Sequence, residues 1–105
     1  MDTSLFSQTT INGTSYQEFI ESDWRTRGFS FGVWTDPPGK VWRDLVHATD
    51  ELLMVAEGEL ELTIDGKTSR LDPGQEVLIP AGAGHTVRNA ASGFSVWFYG
   101  YRLGR

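Results

Sequence analysis

Turn signals at short and regular intervals constrain the fold of this chain more than any other feature of its sequence. From Phe29 onward they recur every few residues, as Pro37-Pro38-Gly39, Gly58, Asp65-Gly66, Pro73-Gly74, Gly82 to Gly84, and Ser92-Gly93. The segments between them are rich in β-branched, aromatic and leucine side chains, which favour strands. Short strands at this spacing predict an all-β fold, an antiparallel sandwich or barrel.

The segment before Asp65-Gly66 has the clearest strand pattern. Leu60, Leu62 and Ile64 alternate with polar residues, so one face of the strand is apolar and the other polar. Asp-Gly tolerates the positive φ angles that a two-residue type I′ turn requires. The sequence therefore predicts a β-hairpin centred on this dipeptide.

The first quarter of the chain lacks this regular pattern. Residues 1–14 are polar, and we interpret them as a frayed tail or an edge strand. Residues 16–25 carry apolar groups at Phe19, Ile20 and Trp24, which is compatible with a short helical turn. A chain of 105 residues has room for one domain. We therefore predict an N-terminal extension or edge segment over residues 1–27 and a barrel over residues 28–105.

The final segment, residues 94–101, is apolar or aromatic on both faces. Alternation places Phe94, Val96 and Phe98 on one face and Trp97, Tyr99 and Tyr101 on the other. A strand that is covered on both sides is either central to a sandwich or packed against a second chain. From this pattern we predict a homodimer.

Composition excludes several classes of function. The absence of cysteine removes disulfides, thiolate metal ligands and a cysteine nucleophile, so any metal ligands must be imidazole and carboxylate groups. A net charge of −5 without a basic cluster disfavours nucleic-acid binding. The longest apolar run, Leu52 to Ala56, is too short to cross a membrane, and the first residues lack a secretory signal. We therefore expect a cytoplasmic protein that binds neither nucleic acid nor membrane.

The chain has two histidines, His47 and His85, as candidate ligands or acid–base groups. His47 and Glu51 are four residues apart, a spacing that shares a face in a strand and in a helix alike. Glu51 precedes an apolar run, and a buried carboxylate needs a partner such as a metal ion. Read singly, each of the three residues also fits an ordinary solvated side chain, with His85 exposed beside the turn at residues 80–84.

The stretch from Gly39 to Asn89 resembles the two motifs of the cupins. The matching residues are Gly39, His47, Glu51 and Gly58 in the first motif, and Gly74, Pro80, Gly82, His85 and Asn89 in the second. This resemblance identifies the chain as similar to a small single-domain cupin. It implies a double-stranded β-helix, the cupin-type jelly-roll barrel, with the motif residues converging on the interior.

The first motif departs from the family pattern at Leu45. Cupins usually carry His-x-His there, so the resemblance implies a site reduced from four ligands to His47, Glu51 and His85. Two histidines and a carboxylate suit one divalent metal ion, namely iron, manganese, nickel, cobalt or zinc. The alternative is a site that has lost its metal and become an apolar pocket.

Arg43 and Leu45 are the candidate substrate-pocket residues. Alternation places both on the face of His47, and the planar guanidinium of Arg43 could pair with a carboxylate or phosphate. The alternative is that Arg43 points to water or pairs with Asp44 or Glu18. The aromatic residues Trp34, Trp42, Trp97 and Tyr99 could line an apolar pocket or belong to the core or a dimer contact.

The family resemblance implies a broad range of functions, since cupins include dioxygenases, isomerases, decarboxylases, sugar epimerases and binding domains. We expect a metal-binding protein, and as one possibility a metal-dependent oxidoreductase of the dioxygenase type or an isomerase, acting on a small organic molecule. The alternative is a non-catalytic module that binds or senses a small ligand, with a weak or absent metal site.

Overall fold

The computed structural model describes residues 10–11 and 14–104 of the chain. Its elements in chain order are β1 (Thr10–Ile11), β2 (Thr14–Ser15), α1 (Tyr16–Thr26), β3 (Gly32–Asp36), β4 (Val41–Leu45), β5 (Glu51–Glu57), β6 (Leu60–Ile64), β7 (Lys67–Leu71), β8 (Glu76–Ile79), β9 (His85–Asn89) and β10 (Ser95–Tyr101). Strands β1 and β2 pair with each other. The rest of the expected tail, residues 1–9 and 12–13, lies outside the described residues.

Two four-stranded antiparallel sheets form the body of the protein. The first sheet has the strand order β3-β10-β5-β8, and the second has the order β4-β9-β6-β7. Side chains from both sheets meet in one cluster, formed by Leu53, Val55, Leu60, Leu62, Leu71, Ile79, Val87 and Trp97. The apolar alternation of the strands therefore closes a jelly-roll interior, and the predicted all-β fold is confirmed.

The hairpin predicted at Asp65-Gly66 is present between β6 and β7. Ile64 pairs with Lys67, and the two turn residues have φ angles of 50° and 83°. Leu60 and Leu62 are buried in the core between the sheets. The short-range pattern thus determines both the turn and the buried face of this hairpin.

Helix α1 is a full helix of 11 residues rather than the short turn that the sequence suggested. Ser15 and Glu18 form a capping box, in which each side chain accepts a hydrogen bond from the other's backbone N–H at 3.1 Å. Ile20 and Trp24 are buried against the outer face of β5 and β10. Within the described residues, no helix has the length and apolar character needed to cross a membrane.

Strand β10 is covered on both faces within one chain. It lies between β3 and β5, with Phe98 packed towards α1 and Trp97 packed between the sheets. The double-sided apolar pattern is therefore that of a central strand, and it needs no second chain to explain it. The homodimer stays a prediction.

Glu76 joins α1 to the edge strand β8. Its Oε1 accepts a hydrogen bond from the Trp24 indole N–H at 3.0 Å, and Arg27 donates to Oε1 at 3.2 Å and to Oε2 at 2.8 Å. The Arg27 hydrogen bond and then the Trp24 hydrogen bond hold the pKa of Glu76 below its ordinary value of 4.5. The ionised carboxylate therefore stabilises the fold above that value, and the contribution is lost as the pH falls through the lower pKa of the folded state.

We expect Glu76→Gln to lower the free energy of unfolding by about 1–2 kcal/mol at about pH 7, because the hydrogen bonds from Trp24 and Arg27 to the ionised carboxylate are weakened. The deficit should shrink as the pH falls through the lowered pKa of the folded state, because the wild-type carboxylate then becomes protonated. Urea unfolding at neutral and at acidic pH measures this difference. Glu21→Gln is the control, since the Glu21–Arg25 pair is exposed and should contribute little. Equal losses in the two variants would contradict the prediction.

Candidate metal centre

Three separate elements bring His47, Glu51 and His85 together. His47 lies in the connection between β4 and β5, Glu51 begins β5, and His85 begins β9. One potential ligand atom from each lies within 4.8 Å of the other two. Glu51 shares the inward face of β5 with Leu53, so its carboxylate enters the interior rather than solvent.

Backbone hydrogen bonds fix the two loops that carry the histidines. The Gly82 N–H donates to the His47 carbonyl at 2.9 Å, and the Ala81 N–H donates to Asp50 Oδ1 at 2.8 Å. Arg102 donates to the other oxygen of Asp50 at 2.9 and 3.1 Å. The Ala81 N–H and then Arg102 hold the pKa of Asp50 below its usual range. The connections before β5 and before β9 are therefore tied to each other and to the chain end after β10.

The centre contains buried acceptors without donors. Glu51 is 4 % and His85 is 3 % exposed. Glu51 Oε1 lies 3.4 Å from His47 Nε2 and 3.4 Å from His85 Nε2. Among the described residues, neither Glu51 Oε1 nor His85 Nε2 has a hydrogen-bond partner. Buried polar atoms are almost always partnered. Two unpartnered acceptors this close together therefore mark a position for a proton or a metal ion.

The tautomer of His85 follows from its second nitrogen. His85 Nδ1 lies 3.0 Å from the Ala83 carbonyl oxygen. Because a carbonyl can only accept, this hydrogen bond assigns the proton to Nδ1 and leaves a lone pair on Nε2. Orientation of a ligating imidazole by a backbone carbonyl on its other nitrogen is typical of metal sites.

The electrostatics of the centre disfavour charge on its own side chains. Burial raises the pKa of Glu51 to about 7. Burial, and then the neighbouring His85, lower the pKa of His47. The pKa of Tyr101, whose ring centroid lies 4.9 Å from that of His47, is raised by burial and by the charge of Glu51. Near neutral pH the carboxylate is thus held in an environment that favours its neutral form.

A cavity of about 250 Å³ opens beside the three residues. Its walls are formed by Trp34, Trp42, Leu45, His47, Glu51, Val87, Trp97, Tyr99 and Tyr101. Leu45 is one of the two expected pocket residues, and it lies opposite His85 in the pairing of β4 with β9. The sequence left open whether four aromatic residues line a pocket or belong to the core or a dimer contact. In the structure all four line the cavity, namely Trp34, Trp42, Trp97 and Tyr99.

Arg43 does not line the cavity. It is exposed on β4, and Trp42 faces inward in its place. The register of β4 against β9 shifts between Trp42 and Leu45, and Asp44 has a φ angle of 54°. Such a bulge interrupts the alternation of faces, so Arg43 does not share the inward face that strand alternation predicted for it. His47 also lies beyond the end of β4 rather than on that strand.

Two residues that shape the cavity were not expected from the sequence. Tyr101 continues the inward face of Trp97 and Tyr99 and contacts the ring of His47, so its alternation was a usable signal. Asp36 is 2 % exposed and accepts hydrogen bonds from Trp34, Trp42 and Trp97. Trp34 lies near Asp36 on β3, but the other two partners come from β4 and β10, so the local sequence does not mark this aspartate.

Comparison with known proteins places this geometry in context. Residues 32–99 match the family model of the cupin domain, Cupin_2. An uncharacterized protein of Streptomyces coelicolor is 26 % identical over 92 residues, which cover 88 % of this chain and 84 % of that protein.

Two solved structures are informative neighbours. The cupin domain of an XRE family transcriptional regulator from Enterobacter cloacae has a TM-score of 0.68 and 28 % identity, covering 78 % of this chain and 90 % of that one. The DMSP lyase DddQ from Ruegeria pomeroyi has a TM-score of 0.65 and 25 % identity, covering 72 % of this chain but 39 % of that one. A domain of this fold thus occurs in a transcriptional regulator and in part of a lyase.

Proposed function

This chain belongs to the cupin domain family, and from that premise we propose that it binds one divalent metal ion through His47, Glu51 and His85 to act on a small organic molecule. The observation that carries the proposal is the pair of buried, unpartnered acceptors, Glu51 Oε1 and His85 Nε2. Two lone pairs directed at each other repel unless a proton or a cation lies between them. Burial of both side chains makes an unpartnered arrangement costly.

The donor set fits iron, manganese, cobalt, nickel or zinc, since imidazole and carboxylate are ligands that these ions share. When bound, such an ion supplies Lewis-acid chemistry and open coordination positions for a small molecule. The chain's own residues orient the site and exclude water. Ala83 fixes the imidazole of His85, the Tyr101 ring packs against His47, and Leu45 covers the wall opposite His85.

An enzyme of the oxidoreductase or isomerase type remains the function we favour for this site. The neighbour named as a DMSP lyase supports catalysis on a small organic molecule by a domain of this fold. The second candidate is a ligand-sensing module. It is supported by the cupin domain of a transcriptional regulator, since the match covers 90 % of that solved domain. The two differ in turnover, because a sensor returns its ligand unchanged, whereas an enzyme leaves a new product detectable by NMR.

Metal content tests the proposal directly. Protein purified without a histidine tag or chelator should carry about one metal ion per chain, measured by elemental analysis, and His85→Ala should lose it. Metal added to stripped protein at about 100 times its Kd should add about 2.7 kcal/mol of stability. A protein that holds no metal and gains no thermal stability from iron(II), manganese, cobalt, nickel or zinc would overturn the proposal.

We expect Leu45→His to tighten metal binding. Leu45 lines the cavity opposite His85, so an imidazole there adds a fourth ligand. A gain of about tenfold in affinity corresponds to about 1.4 kcal/mol of binding free energy. Titration of stripped protein with metal measures the change. Leu45→Met is the control, because it keeps an apolar side chain of similar volume. Equal affinities in the two variants would mean that position 45 does not face the ion.

A further inference from the structure

A buried carboxylate holds three tryptophans of the cavity wall. Asp36 Oδ1 accepts from the Trp34 indole N–H at 2.9 Å, and Oδ2 accepts from Trp42 at 3.0 Å and from Trp97 at 3.1 Å. All three indole N–H groups are thereby used, so they are not free to donate to a ligand. What these tryptophans offer to the cavity is therefore ring carbon surface, and we call this part of the wall the tryptophan end.

The hydrogen bonds to Asp36 also change the rings electrostatically. A negative charge at the N–H edge of an indole increases the electron density over its faces, and those faces already attract cations. The Lys40 ammonium illustrates the attraction, since it lies 4.5 Å from the centroid of the Trp42 ring. The tryptophan end is therefore suited to a positively charged group with an apolar surface.

The cavity wall carries no basic side chain that would repel such a group. Among the described residues that line it, none is a lysine or an arginine. Arg43, which could have received an anionic group, is exposed and absent from the wall. The net charge of −5 further attracts cations from solution.

The tryptophan end is distinct from the metal ligands. Trp97, Tyr99 and Tyr101 follow each other along β10, with ring centroids 6.0 Å apart at each step, and Tyr101 contacts His47. Trp97 and Tyr101 are four residues apart, which is about 13 Å along a strand. A ladder of aromatic rings thus connects the two ends of the cavity.

We propose that the tryptophan end binds a methylated onium group, meaning a quaternary ammonium or tertiary sulfonium, of a small ligand. The Asp36 oxygens lie behind the indoles and are occupied, so a primary ammonium would lose its hydrogen bonds to water without replacement. An onium group has no N–H to satisfy and gains from the ring faces. The inference names a ligand class for the cavity of the proposed function, but it does not require the metal ion.

Choline and dimethylbutanol, the neutral compound in which carbon replaces the charged nitrogen, provide the test. Tryptophan fluorescence and calorimetry on metal-stripped protein at constant ionic strength should give a Kd for choline at least about tenfold lower than for dimethylbutanol, since a desolvated cation–π contact is strong. Equal affinities, or no saturable choline binding, would overturn the proposal. Binding to phosphatidylcholine vesicles without binding of free choline would overturn it too.

Trp34→Leu is the variant of choice, because Trp34 is 42 % exposed at the cavity and its loss should be tolerated by the fold. It should weaken choline binding and leave dimethylbutanol binding nearly unchanged. Phe94→Leu is the control, since Phe94 is 65 % exposed and does not line the cavity. Unchanged choline affinity in Trp34→Leu would overturn the proposal. If the protein binds choline but no metal ion, the proposed metal-binding function is wrong and the onium proposal stands.

Discussion

We expect Glu51→Gln to abolish metal binding while making the metal-free protein more stable. Removing even a group that only supports a ligand typically costs about 10–100-fold in metal affinity, so loss of the anionic ligand itself should cost more than about 100-fold. Glutamine nevertheless has nearly the same shape. Its amide can donate to the free lone pair of His85 Nε2, which lies 3.4 Å from the present Oε1.

The stabilisation of the metal-free protein should depend on pH in a defined direction. Burial raises the pKa of Glu51 from 4.5 to about 7. Below 4.5 the carboxyl is protonated in both the folded and the unfolded chain, and it costs nothing. Between 4.5 and 7 the unfolded chain loses its proton first, so the wild type becomes less stable as the pH rises. Above about pH 7 the penalty reaches up to about 3 kcal/mol, and glutamine removes it.

Urea unfolding of stripped wild type and Glu51→Gln across this pH range measures the effect, and thermal shift with added metal measures the loss of binding. Glu57→Gln, at the other end of the same strand, is the control and should change neither property. If Glu51→Gln were less stable than wild type at every pH, the carboxylate would stabilise the metal-free fold, which contradicts the prediction. Retained metal binding in that variant would remove Glu51 from the ligand set.

The parts of the fold that the sequence predicted are those set by short-range patterns. The hairpin at Asp65-Gly66 follows from two residues and the alternation around them. The approach of Glu51 and His85 was implied by the resemblance to the two cupin motifs, and in the structure the two residues begin β5 and β9. In both cases the local preference and the global fold agree.

The parts that failed depend on contacts between distant segments or on a local break in a pattern. Asp44 adopts a left-handed backbone conformation, which is uncommon for a residue other than glycine and cannot be read from the sequence. It breaks the alternation of faces along β4, so Trp42 rather than Arg43 faces the cavity. The role of Asp36 arises only when β4 and β10 bring Trp42 and Trp97 to it. The helix that covers the outer face of β10 is also longer than its local pattern indicated, whereas the homodimer predicted from that apolar strand stays a prediction.

We expect Gly100→Ala to be among the most destabilising single substitutions in the protein. Gly100 lies in the central strand β10, beside the segment between α1 and β3, in which Phe29 pairs with Arg102 and Ser30 hydrogen-bonds to Tyr101. A methyl group built there would overlap the carbonyl oxygen of Ser30 and would contact the ring of Trp24 at 3.0 Å. The obstacle is backbone rather than a flexible side chain, so the segment around Ser30 must move.

That movement would also break the hydrogen bonds that hold this segment beside β10. The Ser30 N–H donates to the Tyr101 carbonyl at 2.9 Å, and the Tyr101 N–H donates to Ser30 Oγ at 2.9 Å. Overpacking of this kind costs about 1–3 kcal/mol or more, and lost hydrogen bonds add to it. With about 4–8 °C per kcal/mol for a domain of this size, the melting temperature should fall by more than about 10 °C.

Gly93→Ala is the matched control for Gly100→Ala. A methyl group on Gly93 meets nothing within 4 Å, and its backbone is not in the left-handed region. It removes the same glycine flexibility from the unfolded chain, so it should be neutral or slightly stabilising. Thermal unfolding of both variants compares the two sites directly. If the two melting temperatures agreed, the contact between Gly100 and the Ser30 segment would be loose enough to accept a side chain, and Trp24 would not be held as closely as its complete burial implies.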